Sequence, residues 1–266
     1  MPKLPVKYFK TVTEYAKYNW SGAIDKLYPV VKTVTKDFTR TDPVYVRIGD
    51  DGEPEIHYTM TKANGDSYFA GMDLGNATLY VHNGEIVTNF ITFARWSKAA
   101  RLMIDDTSNG TNFVQFAYGA SIPFIGDMTI GSNANCTSMF QDWKYSEYPR
   151  IQASGDGIDL TRAFAFAGKA TVMPASDLSG ASSLASAWDG GYPSYKVPLT
   201  EFHAYGMRVS FDLHYTNLTH DAILEVFNNL GSGVAEGTTL TLGSDKLALM
   251  SDEEKKIATD KKWTLA

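Results

Sequence analysis

Thr88-Asn-Phe-Ile-Thr-Phe-Ala94 and Thr111-Asn-Phe-Val-Gln-Phe-Ala117 share five of seven letters at an offset of 23 residues. Outward from this pair, an aromatic residue marks the same point of each segment: Phe93, Phe116, Phe140, Phe164, Trp188 and Phe211. The steps between these marks are 23, 24, 24, 24 and 23 residues. A unit of this length cannot bury an apolar face alone, so neighbouring units must stack. The spacing therefore predicts a solenoid with the aromatic column in its interior.

Two further columns keep the same register. One lies four residues before each mark: Asn89, Asn112, Cys136, Leu160, Leu184 and Met207. The other follows the middle marks by seven to ten residues: Pro123, Pro149, Pro174 and Pro198. We expect these prolines where the chain leaves one coil for the next, since proline there has no donor to lose. The alternative is a β-sandwich with evenly spaced strands, in which turns also recur.

Residues 1–84 carry a different pattern, which predicts a small α+β head. Helices are expected at Thr11–Tyr18 and Gly22–Phe38, the second kinked at Pro29. Short strands are expected at three places: Val44–Ile48, Glu55–Met60 and Thr78–Val81. We expect the head to attach the protein to an assembly while the repeats project outward.

The C-terminal residues, 220–266, predict a polar cap over the last coil. A helix is expected over His220–Leu230, a strand over Thr238–Leu242 and a final helix over Asp252–Lys261. A terminal coil exposes one face of the core, and a cap of this kind covers it. Trp263 is expected to hold the last helix in place.

Two segments carry a family resemblance. Asn135-Cys-Thr-Ser-Met-Phe140 is similar to the Cys-Thr-Ser-Leu/Met-Phe units of BspA-like leucine-rich repeat proteins. The run from Thr238 to Leu265 resembles an ending common in phage-encoded members: a leucine strand, Gly-Ser, a Leu-containing link, an Asp-Glu helix and a Lys-Trp-Thr close. The resemblance covers roughly residues 86–266. The usual Leu-x-x-Leu-x-Leu signature is absent, so irregular coils are expected.

The resulting prediction is an α/β fold with three parts. A small α+β head (1–84) precedes an irregular leucine-rich-repeat-like solenoid (85–219), which ends in a helix-strand-helix cap (220–266). The resemblance implies a non-enzymatic bacteriophage virion protein of the tail, such as a baseplate or tail-fibre component, or another surface-displayed structural protein, sometimes with a role in host adhesion. It implies assembly in the host cytoplasm and display on the virion surface. Its expected partners are other virion proteins, further copies of itself, and a host surface glycan or protein.

Composition argues against several other classes of protein. A net charge of −6 is unfavourable for a nucleic-acid binder. No apolar stretch reaches the ~18 residues that a membrane-spanning helix requires, and no secretory signal is expected, so no membrane insertion is predicted. A single cysteine excludes an internal disulfide and a multi-thiolate metal site, and Cys136 is expected to be a buried apolar residue rather than a nucleophile.

Motifs for catalysis are missing from the sequence. It contains no phosphate-binding Gly-x-x-x-x-Gly-Lys-Ser/Thr loop and no Gly-x-Ser-x-Gly nucleophile turn. The acidic turns Asp50-Asp51 and Asp105-Asp106 could hold a hard cation, but a solvated acidic turn is the favoured interpretation. We therefore predict no catalytic residue, no cofactor and no metal.

Clustered aromatics are the candidate ligand-binding residues, because sugar faces stack on aromatic rings. They are Trp143, Tyr145, Tyr148, Tyr192 and Tyr195. A carbohydrate- or cell-surface-binding module is thus the alternative function. The alternative role for these side chains is packing between coils.

Overall fold

The computed structural model describes residues 44–190 and 196–266, except for the side chain of Tyr45. These residues form a mixed α/β structure with few helices and several small sheets, and their strands form no closed barrel. The predicted helices Thr11–Tyr18 and Gly22–Phe38 lie outside the described residues.

Most strands are only two or three residues long. They are β1 (Val44–Ile48), β2 (Pro54–Thr59), β3 (Thr78–His82), β4 (Arg101–Ile104), β5 (Phe124–Ile125), β6 (Met128–Thr129), β7 (Ile151–Gln152), β8 (Ile158–Asp159), β9 (Val172–Met173), β10 (Ala181–Ser183), β11 (Glu201–Phe202), β12 (Phe211–Asp212), β13 (Thr239–Thr241) and β14 (Thr264–Leu265). The helices are α1 (His220–Asn229), α2 (Ser244–Leu247) and α3 (Asp252–Thr259), with a 3-10 turn at Gly84–Ile86.

Parallel pairing between successive passes of the chain dominates the sheets. Among the described strands, β1 and β2 form an antiparallel pair and every other pairing is parallel. Glu55 pairs with Thr78, Thr78 with Arg101 and Arg101 with Phe124, so successive partners are 23 residues apart. This pattern does not fit the β-sandwich alternative, whose sheets are antiparallel.

A column of Asn and Asp residues is joined from pass to pass by backbone bridges. Successive single parallel bridges join Asn64, Asn89, Asn112, Asn135 and Asp159. Each side-chain oxygen accepts a hydrogen bond, at 2.9–3.2 Å, from the backbone N–H two residues further on. Asn and Asp favour such turns for this reason. The turn is therefore built the same way in five successive passes.

The predicted aromatic column is buried, as expected. Phe93, Phe116, Phe140 and Phe164 are fully buried, and Trp188 and Phe211 nearly so. Neighbouring rings contact one another, with centroids 5.7 Å apart for Phe93 and Phe116, and 5.4 Å apart for Phe164 and Trp188. One continuous hydrophobic core runs from β1 to the C-terminus.

The predicted register of this column slips by one residue between Phe116 and Phe140. The N–H of Ala117 bonds to the carbonyl of Met139, and the N–H of Phe140 bonds to that of Ala163, so Phe140 is equivalent to Ala117 and not to Phe116. Two adjacent positions face the core in each pass. The large aromatic residue occupies the first of them at Phe116 and the second at Phe140. The predicted column four residues earlier slips in the same way. Phe90 and Phe113, rather than Asn89 and Asn112, occupy the position that is equivalent to Cys136.

The predicted boundary between residues 84 and 85 does not mark a change of structure. Strand β2 already pairs in parallel with β3, and Asn64 is bridged to Asn89. The ladder therefore begins near Pro54, within the predicted head. The strands of that region were predicted within one residue of their observed bounds.

The helices and the strand of the C-terminal residues pack against the core. Ile223 and Phe227 of α1 and Leu240 of β13 are fully buried, whereas Leu224 is only partly buried. β13 lies between β12 and β14 in a three-stranded parallel sheet. Trp263 is buried, packs edge-on against Phe211 at 5.6 Å and donates a hydrogen bond to the carbonyl of Gly231.

Candidate functional site

A groove of about 160 Å³ is lined by residues in and around β5, by the loop 143–150 that precedes β7, and by Pro174 after β9. Three of the four recurring prolines line it: Pro123, Pro149 and Pro174. Aromatic, acidic and basic side chains complete the lining: Phe124, Trp143, Tyr148, Asp127, Glu147 and Arg150. The rigid proline backbone therefore shapes one surface that combines apolar and charged groups.

The floor of the groove is held by the polar ends of two buried rings. Trp143 donates from Nε1 to the carbonyl of Glu147 at 2.7 Å. The hydroxyl of Tyr148 donates to the carbonyl of Phe164 at 2.8 Å, and burial raises the pKa of this tyrosine. Both rings are rigid because each has its polar atom bonded and its apolar body packed.

The rim of the groove carries exposed groups. Phe124 is 51% exposed because Ile125, its neighbour in the two-residue strand, points into the core. The guanidinium of Arg101 lies 5.8 Å from the Phe124 ring. Arg150 donates to the Asp127 carboxylate at 2.9 Å and to the carbonyl of Ala175 at 2.9 Å. The rim thus offers an apolar ring beside a fixed ion pair.

The predicted ligand-binding residues divide into three groups. Trp143 and Tyr148 are buried, as packing between coils requires, although both line the groove. Tyr145 is partly buried, with its ring centroid 5.5 Å from that of Trp143. Tyr192 and Tyr195 lie outside the described residues. That any of them binds a ligand stays a prediction.

Exposed aromatics elsewhere were missed from the sequence. Trp96 and Tyr205 are exposed, as is Phe124. When the two repeated segments are extended by two residues, Trp96 aligns with Gly119. The largest and the smallest residue therefore occupy equivalent positions. That contrast was the available signal for an unusual surface position.

A chain of ionisable groups crosses the face of the five-stranded sheet. His57 lies 3.0 Å from His82 and 3.1 Å from the Glu55 carboxylate, which also accepts a hydrogen bond from Arg47. Burial lowers the pKa of His57, and the nearby charges of Arg47 and His82 add to this effect. The Asp105 carboxylate, 3.9 Å from His82, accepts hydrogen bonds from the backbone at the 3-10 turn.

The two acidic turns and the thiol have structural contacts in this fold. In the Asp105-Asp106 turn, the carboxylates accept backbone N–H bonds, and Asp51 accepts one from Glu53. Cys136 is fully buried, which raises the pKa of its thiol. Within residues 44–190 and 196–266, no three His, Cys, Asp or Glu side chains are grouped as a metal site requires.

Comparison with known proteins found no match among family models, curated proteins or solved structures. The likeness to BspA-like repeat proteins is therefore carried by the quoted residues alone. In the part of the chain that the structure describes, no helix is long and apolar enough to cross a membrane.

Proposed function

We propose that this chain is a non-enzymatic structural protein displayed on the surface of a bacteriophage virion, in a tail fibre, baseplate or similar component. The observation that carries the proposal is the C-terminal ending, whose residues resemble the ending of phage-encoded BspA-like proteins. Its parts have defined roles: β13 extends the sheet, a capping box between Ser251 and Glu254 opens α3, and Trp263 packs on the last pass.

We also propose that the stacked passes are an irregular leucine-rich-repeat-like solenoid. Parallel partners 23 residues apart, the repeated Asn turn and the single continuous core support this architecture. A stack of this kind suits display, because its length is set by the number of passes and its side chains form rows along the surface.

A label on the particle tests the virion role directly. Phage particles carrying this chain with a C-terminal affinity tag would be treated with gold-labelled antibody against the tag and imaged by electron microscopy. Gold at a fixed, symmetric location on the particle is expected, with untagged particles as the control. Tagged protein that stays in the host lysate and never sediments with particles would contradict the proposal.

Attachment to other virion proteins is assigned to the N-terminal part of the chain. Deleting residues 1–40 leaves every strand from β1 onward in place. We expect this variant to keep the circular dichroism spectrum of its β-rich fold but to be absent from purified particles. Incorporation at the normal copy number would contradict an attachment role for these residues.

The groove favours a second candidate function, a carbohydrate- or cell-surface-binding module. Phe124 at the rim offers a half-exposed ring, and the fixed Arg150–Asp127 pair offers hydrogen-bond donors and acceptors beside it. Binding sites commonly combine apolar rings with a few placed polar groups. For glycans bound in the groove, replacing Phe124 with Ala should abolish the binding that the intact chain shows on an array. The matched control is Phe202→Leu, a fully buried ring outside the groove lining, which should leave glycan binding unchanged.

A further inference from the structure

The strongest surface feature outside the groove is a ridge of rings and cations, called here the cationic ridge. It consists of Arg95, Trp96, Tyr118, Lys144, Arg162 and Phe166. Three of these six side chains are cationic, whereas the chain as a whole carries a net charge of −6. The ridge is therefore positively charged on a chain that is negatively charged overall.

The backbone aligns the ridge along the stack of passes. The N–H of Trp96 bonds to the carbonyl of Tyr118, the N–H of Gly119 to that of Gln141, and the N–H of Asp142 to that of Ala165. Trp96, Gly119, Asp142 and Phe166 thus occupy equivalent positions in successive passes. All four have positive φ, between 57° and 61°.

Trp96 combines a strained backbone conformation with an exposed side chain. A tryptophan at φ 57° is a rare conformation for a bulky side chain, and such strain clusters at functional sites. A side-chain carbon added to Gly119 would lie 2.4 Å from the Trp96 ring, so this glycine provides the space in which the indole lies. Trp96 nevertheless remains 52% exposed, so about half of its surface adds no hydrophobic stabilisation to the fold.

Neighbouring groups fix this ring and surround it with positive charge. The guanidinium of Arg95 lies 5.9 Å from the Trp96 ring and 5.3 Å from that of Tyr118. Lys144 lies 5.8 Å from the Trp96 ring and is anchored by a 2.8 Å hydrogen bond to the carbonyl of Gly119. Tyr118 meets Trp96 edge-on at 5.1 Å. The Trp96 ring and the cations around it are therefore held in position before any ligand binds.

One carboxylate beside the ridge has unused hydrogen-bonding capacity, whereas the Nε of Arg95 is buried and cannot reach a ligand. Asp142 lies among the cations, and its hydrogen bond with Tyr118 raises the pKa of that hydroxyl. The carboxylate retains acceptor capacity because one such bond uses only part of it. The ridge thus presents cations for an anion, and Asp142 beside it offers an acceptor for hydroxyl groups.

We propose that the cationic ridge binds a carboxylate-bearing glycan, with a sugar face on Trp96 and carboxylates at Arg95, Lys144 and Arg162. The inference rests on the proposal that this chain contacts a surface glycan, and it assigns a site distinct from the groove. Sugars supply hydroxyl groups that can donate to Asp142, whereas the deoxyribose-phosphate backbone of DNA has no such donor. Single-stranded nucleic acid also uses rings and cations, but it needs a continuous basic track, which an acidic chain with three clustered cations lacks.

Binding of the full chain to defined polysaccharides tests this assignment. The probes are polygalacturonate, hyaluronate and polysialate, each compared with fully methyl-esterified polygalacturonate, which keeps the ring and removes the charge. We expect at least one acidic polysaccharide to retard the chain in affinity electrophoresis, more strongly at low salt than at high salt. The methyl ester should retard it much less.

The decisive variant is Trp96→Gly. Glycine adopts a positive φ freely and already occupies the equivalent position at Gly119, so the thermal unfolding midpoint should change little. Affinity for the acidic polysaccharide should fall about tenfold or more, the loss typical of a central aromatic anchor. Lys144→Gln should reduce the salt dependence of binding. Tyr205→Ala, which removes an exposed ring that belongs neither to the ridge nor to the groove lining, is the matched control and should bind as the unaltered chain does.

Each failure has a distinct signature. No binding to any of the three acidic polysaccharides, equal binding to the methyl ester, or unchanged binding by Trp96→Gly overturns the ridge assignment. Binding confined to single-stranded oligodeoxythymidylate also overturns it. Glycan binding that is lost in Phe124→Ala and kept in Trp96→Gly supports the groove instead. Ridge binding by a chain that is absent from particles leaves this inference standing and refutes the virion role.

Discussion

At the scale of single residues, the repeat depends on turns that place ordinary residues in the left-handed region. Equivalent positions of six passes have positive φ: Ser67, Thr92, Gln115, Ser138, Arg162 and Ser186. This conformation costs roughly 1–2 kcal/mol for a residue with a side chain. In five of these turns an Asn or Asp three residues earlier offsets part of that cost with a side-chain hydrogen bond, and Ser183 takes this place before Ser186.

Phe164 is the residue whose removal most directly tests the interior column. It is fully buried, with ring centroids of Trp188, Tyr148 and Phe140 within 6.0 Å. Phe164→Ala should lower the free energy of unfolding by about 3–5 kcal/mol, because it leaves a cavity between two passes. Urea denaturation would measure the loss. The half-exposed Phe124, changed to Ala, should lose far less, and a similar loss in both variants would contradict the assignment.

His57 should make stability depend on pH in the acidic range. Burial lowers its pKa below the ordinary value of 6.5, so the folded state holds this proton less tightly than the unfolded state. The contribution of His57 to the stability of the fold is complete above pH 6.5 and is lost as the pH falls through the folded pKa. As the pH falls from about 7 to about 5, the free energy of unfolding should decrease less in His57→Gln than in the unaltered chain. Denaturation at each pH measures this difference.

His203 provides the matched control, because its pKa is shifted the other way. Its hydrogen bond to Glu225 raises the pKa, so its contribution is present below 6.5 and is lost as the pH rises through the folded value. His203→Gln should therefore change the pH profile on the alkaline side of 6.5. Identical profiles for the two variants would show that neither histidine acts as described.

At the scale of elements, regular stretches could be predicted and two-residue strands could not. β1, β2 and β3 alternate apolar and polar residues over five or six positions, and α1 and α3 have clear start signals, so their sequences indicate them. Strands such as β6 and β9 are too short to show any period. They exist because the neighbouring pass supplies hydrogen bonds, which is tertiary information.

Lys261 joins the two longer helices of the cap. Its ammonium donates to three carbonyls at the end of α1, those of Phe227, Asn228 and Leu230, at 2.6–3.0 Å. Lys261→Met keeps the aliphatic stem and removes these bonds, so unfolding should become easier by about 1–3 kcal/mol, measured by thermal denaturation. Lys262→Met, the exposed neighbour, should have little effect; an equal shift in both would refute this role.

At the scale of the whole molecule, parallel pairing of successive passes could be predicted, while its start and the exposed ring of Trp96 could not. The aromatic column was recognised because aromatic residues recur, but two adjacent core positions accept the large side chain, and that hid the slip at Met139 and Phe140. The candidate rings Trp143 and Tyr148 are buried, whereas Trp96 is exposed at the equivalent of a glycine. Aromatic identity alone does not distinguish a core ring from a surface ring.

The cap is the part on which the integrity of the whole stack should depend. Ending the chain after Thr219 removes α1, β13 and Trp263, and these cover Phe211 and the last parallel strand. The exposed apolar end and the unpaired edge of β12 would then be free to stack on another copy. We expect this truncation to elute as high-molecular-weight aggregate in size-exclusion chromatography with light scattering. Trp263→Ala, which loosens the same end without removing it, should give an intermediate amount of aggregate. A monodisperse, cooperatively unfolding truncation would mean that the core closes within the repeats themselves, with no need of the cap.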